Sequence, residues 1–236
     1  MKSIVKVRLS VILSAVLIVP FFVFSSAFAD TFGQNVSFSV NEGFDKFDRS
    51  SMTATLRHIG ENAYFYVDDG YWNDIRTSER NNLLTGIQQL AIEFDTNMYP
   101  TETSFWGQEA KPGVDGDNRI TILLEQLKSG TGGYFSTSNG YPKTLVSGSN
   151  EREMVVISVE SVSSPHTKVF LAHEFQHLIS FNQKELLRDV AEDVWLNELR
   201  SEYSVTLTGY NNVFNNSNLE RRAETFFDNP DRKSVV

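Results

Sequence analysis

The sequence predicts an α+β fold, in which a small β region precedes a larger domain that combines a mixed sheet with helices. Three observations support this prediction. Apolar and polar residues alternate in short segments near the N-terminus, apolar residues recur at helical spacing in later segments, and short apolar runs typical of buried strands lie between them. The chain contains no cysteine, so its stability depends on a hydrophobic core rather than on disulfides.

The N-terminal segments predict a hairpin or a small sheet. Alternation covers residues 36–40 and 52–56, and a turn at Gly60 precedes the aromatic segment 64–67. Aromatic residues are favoured in ordinary strands. We therefore interpret these aromatic residues as core and not as a carbohydrate-binding surface.

A scaffold helix is predicted after the β region. Its apolar positions, which recur at helical spacing, are Leu83, Leu84, Ile87, Leu90, Ala91 and Phe94. Thr77 or Ser78 can cap its start, and Pro100 is expected beyond its end. We interpret residues 101–118 as a polar connection.

Two buried strands are predicted at residues 119–124 and 154–159. The turn before the first strand contains Asp115 and Asp117, and closely spaced carboxylates suit Ca²⁺. Two carboxylates are too few to hold this ion, and the rest of a calcium-loop pattern is missing. We therefore interpret the segment as a turn into the strand, with Ca²⁺ as the alternative.

The segment His173-Glu-Phe-Gln-His177 predicts a metal site on a helix. Side chains four residues apart lie on one helical face, with Cβ atoms about 5–6 Å apart, so both imidazoles can reach one ion. Glu174 lies next to the first histidine and can reach a water held by that ion. This is the spacing of the metal-hydrolase helix.

A catalytic zinc needs a third protein ligand and an open position for water. In metzincins a glycine and a third histidine follow at positions that here hold Ser180 and Gln183, which excludes that arrangement. Glu198 fits better, because a short turn and a returning helix would bring it back beside the histidines.

With Asn197-Glu198-x-x-x-Glu202, the motif resembles that of the gluzincins, the thermolysin-like superfamily of zinc peptidases. The chain resembles most closely the hyicolysin-like secreted neutral metallopeptidases. The further segments that carry this resemblance are Glu61–Val67, Asp115–Leu124, Gly132–Phe135 and Asn150–Met154. It spans most of the chain after residue 29, and it implies a zincin-like catalytic domain.

The resemblance implies roles for individual residues. His173, His177 and Glu198 would be the ligands of one Zn²⁺ per chain, and Glu174 would be the general base. Glu202 would orient His173, and Asn197 would do the same for His177. The chain departs from the family pattern at one place: many relatives have a glycine after the ligand glutamate, where this chain has Leu199 and Arg200. This departure concerns the packing behind Glu198 more than its identity as a ligand.

The resemblance also implies an activity, the hydrolysis of peptide bonds in a peptide or protein substrate. An endopeptidase is favoured over an aminopeptidase, because no amine-anchoring Gly-x-Met-Glu-Asn segment precedes the motif. Gly133, Tyr134 and Phe135 match the edge strand that pairs with the substrate backbone in thermolysin-like enzymes. We therefore expect these three residues to contact substrate.

Two helices should carry the metal site. Pro165 fits the first turn of the helix that holds the histidines, and the returning helix is expected over residues 189–208. The returning helix has apolar residues at spacings that predict a buried stripe. They are Val194, Leu199, Tyr203 and Leu207.

The first residues resemble an export signal. Lys2, Lys6 and Arg8 precede an apolar run that is shorter than the about 20 residues needed to span a bilayer, and small residues follow it before Asp30. We expect cleavage after residue 29 and a secreted or periplasmic protein, with a retained N-terminal anchor as the alternative.

Charge argues against two classes of partner. Loss of three basic residues with the signal moves the net charge from −9 to −12, and no basic stripe is available to bind nucleic acid. The same acidic balance disfavours anionic membranes. The sequence does not predict an oligomeric state.

The predicted domain organisation has three parts. Residues 1–29 form the signal peptide, residues 30–72 the N-terminal β region, and residues 73–236 a catalytic domain that we expect to be truncated at its C-terminus. One alternative function stays open, a secreted or surface-anchored binding module that keeps zinc without catalysis.

Overall fold

The computed structural model describes residues 29–210 together with residues 220, 221, 224, 227 and 228. The predicted signal peptide lies outside these residues except for its last position. Within the described part of the chain, no helix is long and apolar enough to cross a bilayer.

Six strands form one mixed sheet in the order β1-β2-β3-β4-β6-β5. Their bounds are β1 Asn35–Ser39, β2 Ser51–Ile59, β3 Ala63–Asp68, β4 Ile120–Glu125, β5 Gly133–Phe135 and β6 Met154–Ser158. The pairs β3–β4 and β4–β6 are parallel, whereas β1–β2, β2–β3 and β5–β6 are antiparallel. The predicted mixture of α and β structure with a mixed sheet is therefore confirmed.

Five α-helices with defined bounds accompany the sheet in the described residues. They are α1 Asp69–Asp74, α2 Thr77–Glu93, α3 Tyr99–Trp106, α4 His166–Ser180 and α5 Val194–Leu207. The predicted boundary after residue 72 falls within α1. The strands before and after α1 belong to the same sheet.

Both faces of the sheet are covered, as the alternation of side chains along a strand requires. Phe65, Ile122 and Val155 face the helices and pack in one core cluster with α2 and α4. Tyr66 and Leu123, their neighbours along β3 and β4, belong to a second cluster on the opposite face. The sheet thus provides a rigid platform for α4.

The helical segment after α2 is longer than the sequence analysis predicted. A π-helical segment at residues 94–98 joins α2 to α3, so the expectation of a polar connection from residue 101 was wrong for residues 101–106. Pro100 lies in the first turn of α3. Proline suits this position because its fixed φ is that of the first turn of a helix.

The start of α2 also differs from the prediction. Thr77 is already helical, and Arg76 takes the capping position. The backbone N–H of Arg76 donates to Oε2 of Glu79 at 2.8 Å, which satisfies a donor that the helix itself leaves open.

The predicted buried stripe on α5 was wrong. Val194, Leu199 and Tyr203 are 63, 56 and 48% exposed. The inward face of α5 instead carries Ser201 and Glu202 along with other small or polar side chains. This reversal occurs because the face of α5 that meets α4 holds the polar groups of the candidate site.

Candidate metal centre

The sheet and the core fix the orientation of α4. Leu171, Phe175 and Ile179 are fully buried in the core cluster between α4 and the sheet, as their helical spacing predicts. His173 and His177 lie between these positions and emerge toward α5. They are 8 and 9% exposed, so both imidazoles border the cleft from a largely buried position.

The two imidazoles and Glu198 converge. Nε2 of His173 lies 3.1 Å from Nε2 of His177. The carboxylate oxygens of Glu198 lie 3.6 Å from each of these nitrogens. The three side chains are the one group of potential metal ligands found among the described residues, and it joins α4 to α5.

These distances fit a single tetrahedral ion. Bonds of about 2.0–2.1 Å at tetrahedral angles place neighbouring ligand atoms about 3.3–3.4 Å apart, close to the separations of 3.1 and 3.6 Å. Two imidazoles and one carboxylate are also a donor set that suits Zn²⁺. The cluster therefore fits a metal with one position left for water.

Electrostatics favour a cation at the same place. Glu174, Glu198 and Glu202 surround the two imidazoles. Burial alone would lower the pKa of His173, but the hydrogen bond that its imidazole donates to Glu198 and the charges of Glu174 and Glu202 raise it. Several carboxylates in a partly buried cluster need a compensating positive charge, which a divalent cation would supply.

Glu174 lies beside the ligands and is tied to the sheet. Its carboxylate accepts a hydrogen bond from the backbone N–H of Phe135 on β5. Burial raises the pKa of Glu174 to about 7; His173 opposes this shift, whereas Glu198 adds to it. This carboxylate is therefore held by β5 at the edge of the cleft, beside the two histidines.

The outer nitrogens of the two histidines face α5. Nδ1 of His173 lies 3.6 Å from Oε1 of Glu202, and the role of Glu202 in orienting His173 stays a prediction. Ser201, which the sequence analysis did not assign, lies with its Oγ 3.1 Å from Nδ1 of His177. The same hydroxyl donates to Oε1 of Gln176 at 2.7 Å.

Asn197 borders the cleft beside His177, but its buried Oδ1 makes no hydrogen bond to the described residues. Its predicted role in orienting His177 stays a prediction. One feature of the sequence could have indicated that Ser201 lies at the site. Ser201 follows Glu198 by three residues and is therefore on the same face of the helix.

The edge strand β5 forms one wall of the cleft. Its members alternate, as residues in a strand do: Gly133 and Phe135 face α4, whereas Tyr134 turns its side chain to the second core cluster. A Cβ on Gly133 would lie 3.2 Å from Cγ of Glu174 and 2.7 Å from the carbonyl oxygen of Val156. Glycine is thus needed for the close approach of β5 to the helix.

The turn with the two aspartates has its own hydrogen bonds. Oδ1 of Asp117 accepts from the backbone N–H groups of Asn118 and Arg119, and Oδ2 accepts from the hydroxyl of Tyr64. Oδ1 of Asp115 accepts from the N–H of Asp117. These contacts stabilise the predicted turn into β4.

A histidine pair on a buried helix, a carboxylate from a second helix and an adjacent glutamate are the features of a metallohydrolase site. The chain is 30% identical over 171 residues to "Neutral metalloprotease ShpI" of Staphylococcus hyicus, a match that covers 64% of this chain. This finding confirms the predicted resemblance to metallopeptidases of that type.

The match spans 35% of the length of that relative, so the chain corresponds to about a third of it. No protein-family profile matches the chain.

Proposed function

We propose that the protein is a zinc-dependent metalloendopeptidase with a zincin-like catalytic domain. The observation that carries this proposal is the convergence of His173, His177 and Glu198, whose ligand atoms lie at distances suited to one tetrahedral ion. The similarity to a neutral metalloprotease supports the same activity.

His173, His177 and Glu198 would hold Zn²⁺, which would supply polarisation of the scissile carbonyl and a lowered pKa for a water in the cleft. Glu174 would accept the proton of the attacking water and then deliver it to the leaving amine. The hydrogen bond from Phe135 holds the Glu174 carboxylate in place for both transfers. Glu202 orients His173, and no covalent intermediate forms.

The substrate would bind as an additional strand on β5. This strand lies at the edge of the sheet, and the N–H of Ser158 on β6 bonds to the carbonyl of Gly132. Because hydrogen-bonded and non-bonded pairs alternate in an antiparallel ladder, Gly133 and Phe135 direct their backbone groups away from β6. The N–H of Phe135 is bonded to Glu174, so an extended peptide can pair with the backbone groups of Gly133 and with the carbonyl of Phe135, within a cleft of about 330 Å³.

We further propose export through the N-terminal signal and a peptide or protein substrate outside the cell. The domain boundaries given above, with a catalytic domain from residue 73, are part of the same proposal.

The test measures zinc content and the hydrolysis of an unstructured protein such as casein. It compares the wild type with Glu174→Gln and with a control, Glu61→Gln, which changes an exposed glutamate in the turn between β2 and β3. We expect one zinc in each protein. Hydrolysis should fall about 10²–10⁴-fold in Glu174→Gln, the usual range for loss of a general base, and should be unchanged in Glu61→Gln.

Three results would contradict the proposal. If the wild type contains no zinc, the ligand assignment is wrong. If it holds zinc but cleaves nothing, or if Glu174→Gln cleaves as well as the wild type, the alternative of a zinc-containing binding module is favoured.

A further inference from the structure

Phe44 reaches the cleft from the N-terminal β region. It borders the same cavity as His173, Glu174 and Glu198, although it is distant from them in sequence. Its ring stacks on that of Tyr134, with centroids 5.0 Å apart and planes 27° apart. One face of Phe44 is thus covered, and 38% of the residue stays exposed.

The backbone around Phe44 is held in place. The N–H of Lys128 donates to the carbonyl of Phe44 at 2.8 Å, and the N–H of Lys46 donates to the carbonyl of Gln126 at 3.0 Å. Asp45 forms an isolated antiparallel bridge with Leu127. Phe44 is therefore a fixed part of the cleft wall and not the tip of a free loop.

The position of Phe44 beside β5 determines which side chains of a bound peptide it could contact. Successive side chains of an extended strand point to opposite faces of a sheet. In a peptide paired with β5, one set of side chains would face α4 together with Phe135. The other set would face the side of Tyr134, where the exposed ring of Phe44 lies.

We propose that Phe44 determines specificity by stacking against an apolar, preferably aromatic, substrate side chain on the face of the sheet away from α4. This inference rests on the proposed binding of peptides to β5. Aromatic pairs stack or meet edge to face and gain binding energy beyond their buried area. Phe44 thus selects among peptides and takes no part in the proton transfers.

The test compares Phe44→Ala and Phe44→Leu with a control, Phe47→Ala. Phe47 lies in the same segment and is 55% exposed, but it contacts Arg49 and Lys46 and not the cleft. The substrates are extended peptides that differ at one residue, which is phenylalanine, leucine or serine, with each position near the cleaved bond varied in turn.

We expect an effect at one of the varied substrate positions. When phenylalanine occupies that position, Phe44→Ala should lower kcat/KM about tenfold, mainly by raising KM. When serine occupies it, kcat/KM should be the same in Phe44→Ala and in the wild type. Compared with Phe44→Ala, Phe44→Leu should regain most of the wild-type preference for the leucine peptide over the serine peptide. Phe47→Ala should match the wild type. Equal losses for all peptides, or no loss for any of them, would overturn the inference.

A second measurement separates this inference from the proposed activity. The binding of the same peptides is measured by calorimetry on zinc-loaded Glu174→Gln protein, with and without Phe44→Ala. A preference for phenylalanine that disappears with Phe44→Ala supports the inference even if the wild type hydrolyses nothing. Equal binding of all peptides by both proteins contradicts it.

Discussion

The two helices that hold the candidate metal centre differ in how they are packed. Most residues of α4 are buried, and the helix contacts the sheet, α3 and α5. Four residues of α5 are buried, namely Ser201, Glu202, Ser204 and Val205. Its apolar residues Trp195 and Leu199 lie outside and are 52 and 56% exposed.

This difference shows that the two parts of the ligand set are positioned in different ways. Hydrophobic burial determines the position of the two histidines, because α4 cannot rotate without exposing core residues. The position of Glu198 depends instead on polar contacts between α5 and its neighbours, such as those of Ser201. Folding and metal binding should therefore respond to different substitutions.

The largest expected effect concerns the packing of α4. Phe175 is fully buried, with its ring centroid 5.0 Å from that of Phe94 and 5.6 Å from that of Tyr99. Phe175→Ala should lower the free energy of unfolding by about 3–5 kcal/mol, because it leaves a cavity. Denaturant unfolding of the metal-free protein measures this loss. Phe105→Ala, at a residue 55% exposed, is the control, and an equal loss in both would contradict the importance of burial for α4.

The second prediction concerns the contact between α3 and α5. Glu102 is fully buried next to Ser204, and the described residues place no basic side chain within ion-pair distance of it. Burial raises the pKa of its carboxyl well above the ordinary value of 4.5. The folded protein therefore holds this proton more tightly than the unfolded chain, and stability should fall as the pH rises above 4.5 toward the folded pKa.

Glu102→Gln should remove that loss. The variant should be more stable than the wild type by about 1–3 kcal/mol at pH 8, the cost of burying an uncompensated polar group. At pH 4, where the carboxyl is mostly protonated in both states, the stabilities of the two proteins should differ much less. Thermal unfolding across this pH range is the measurement, with Glu61→Gln as a surface control. A difference that does not change with pH would show that ionisation of Glu102 is not involved.

The third prediction tests the polar contacts of α5. Ser201→Ala should weaken zinc binding about 10–100-fold, because loss of a group that orients a ligand histidine has an effect of this size. Ser204→Ala is the matched control, since Ser204 is equally buried but accepts a hydrogen bond from the indole of Trp106. Competition with a chelator measures both affinities. Equal weakening in the two variants would indicate a general loosening of α5.

Sequence periodicity predicted the local elements well, since alternation in β1–β3 and helical spacing in α2 and α4 depend on neighbouring residues. It could not predict which strands pair. The parallel register that joins Phe65 to Ile122 connects two segments on either side of three helices. The continuation of the helix through Pro100 was also missed, because proline predicts an end unless it falls in a first turn.

The candidate site shows the same limit. Two histidines four residues apart share a helical face wherever the helix lies, so their proximity was predictable from the sequence. Leu199 and Tyr203 were predicted to be buried but are exposed. Their spacing shows that they share a face of α5, but it does not show whether that face points toward the core. Ser201 and Phe44 were missed because only the packing of α5 and of the N-terminal segment brings them to the cleft.

The smallest expected effect is on the exposed face of α5. Leu199 is 56% exposed, so Leu199→Ser should change the free energy of unfolding by no more than about 0.5 kcal/mol, as is usual at the surface. Zinc affinity should also be unchanged, because Glu198 is held from the opposite side of the helix. Denaturant unfolding and chelator competition check both expectations. A loss of more than 1.5 kcal/mol, in the range seen for burying an apolar side chain, would show that this face is covered in solution and that α5 resembles α4 more closely than the structure indicates.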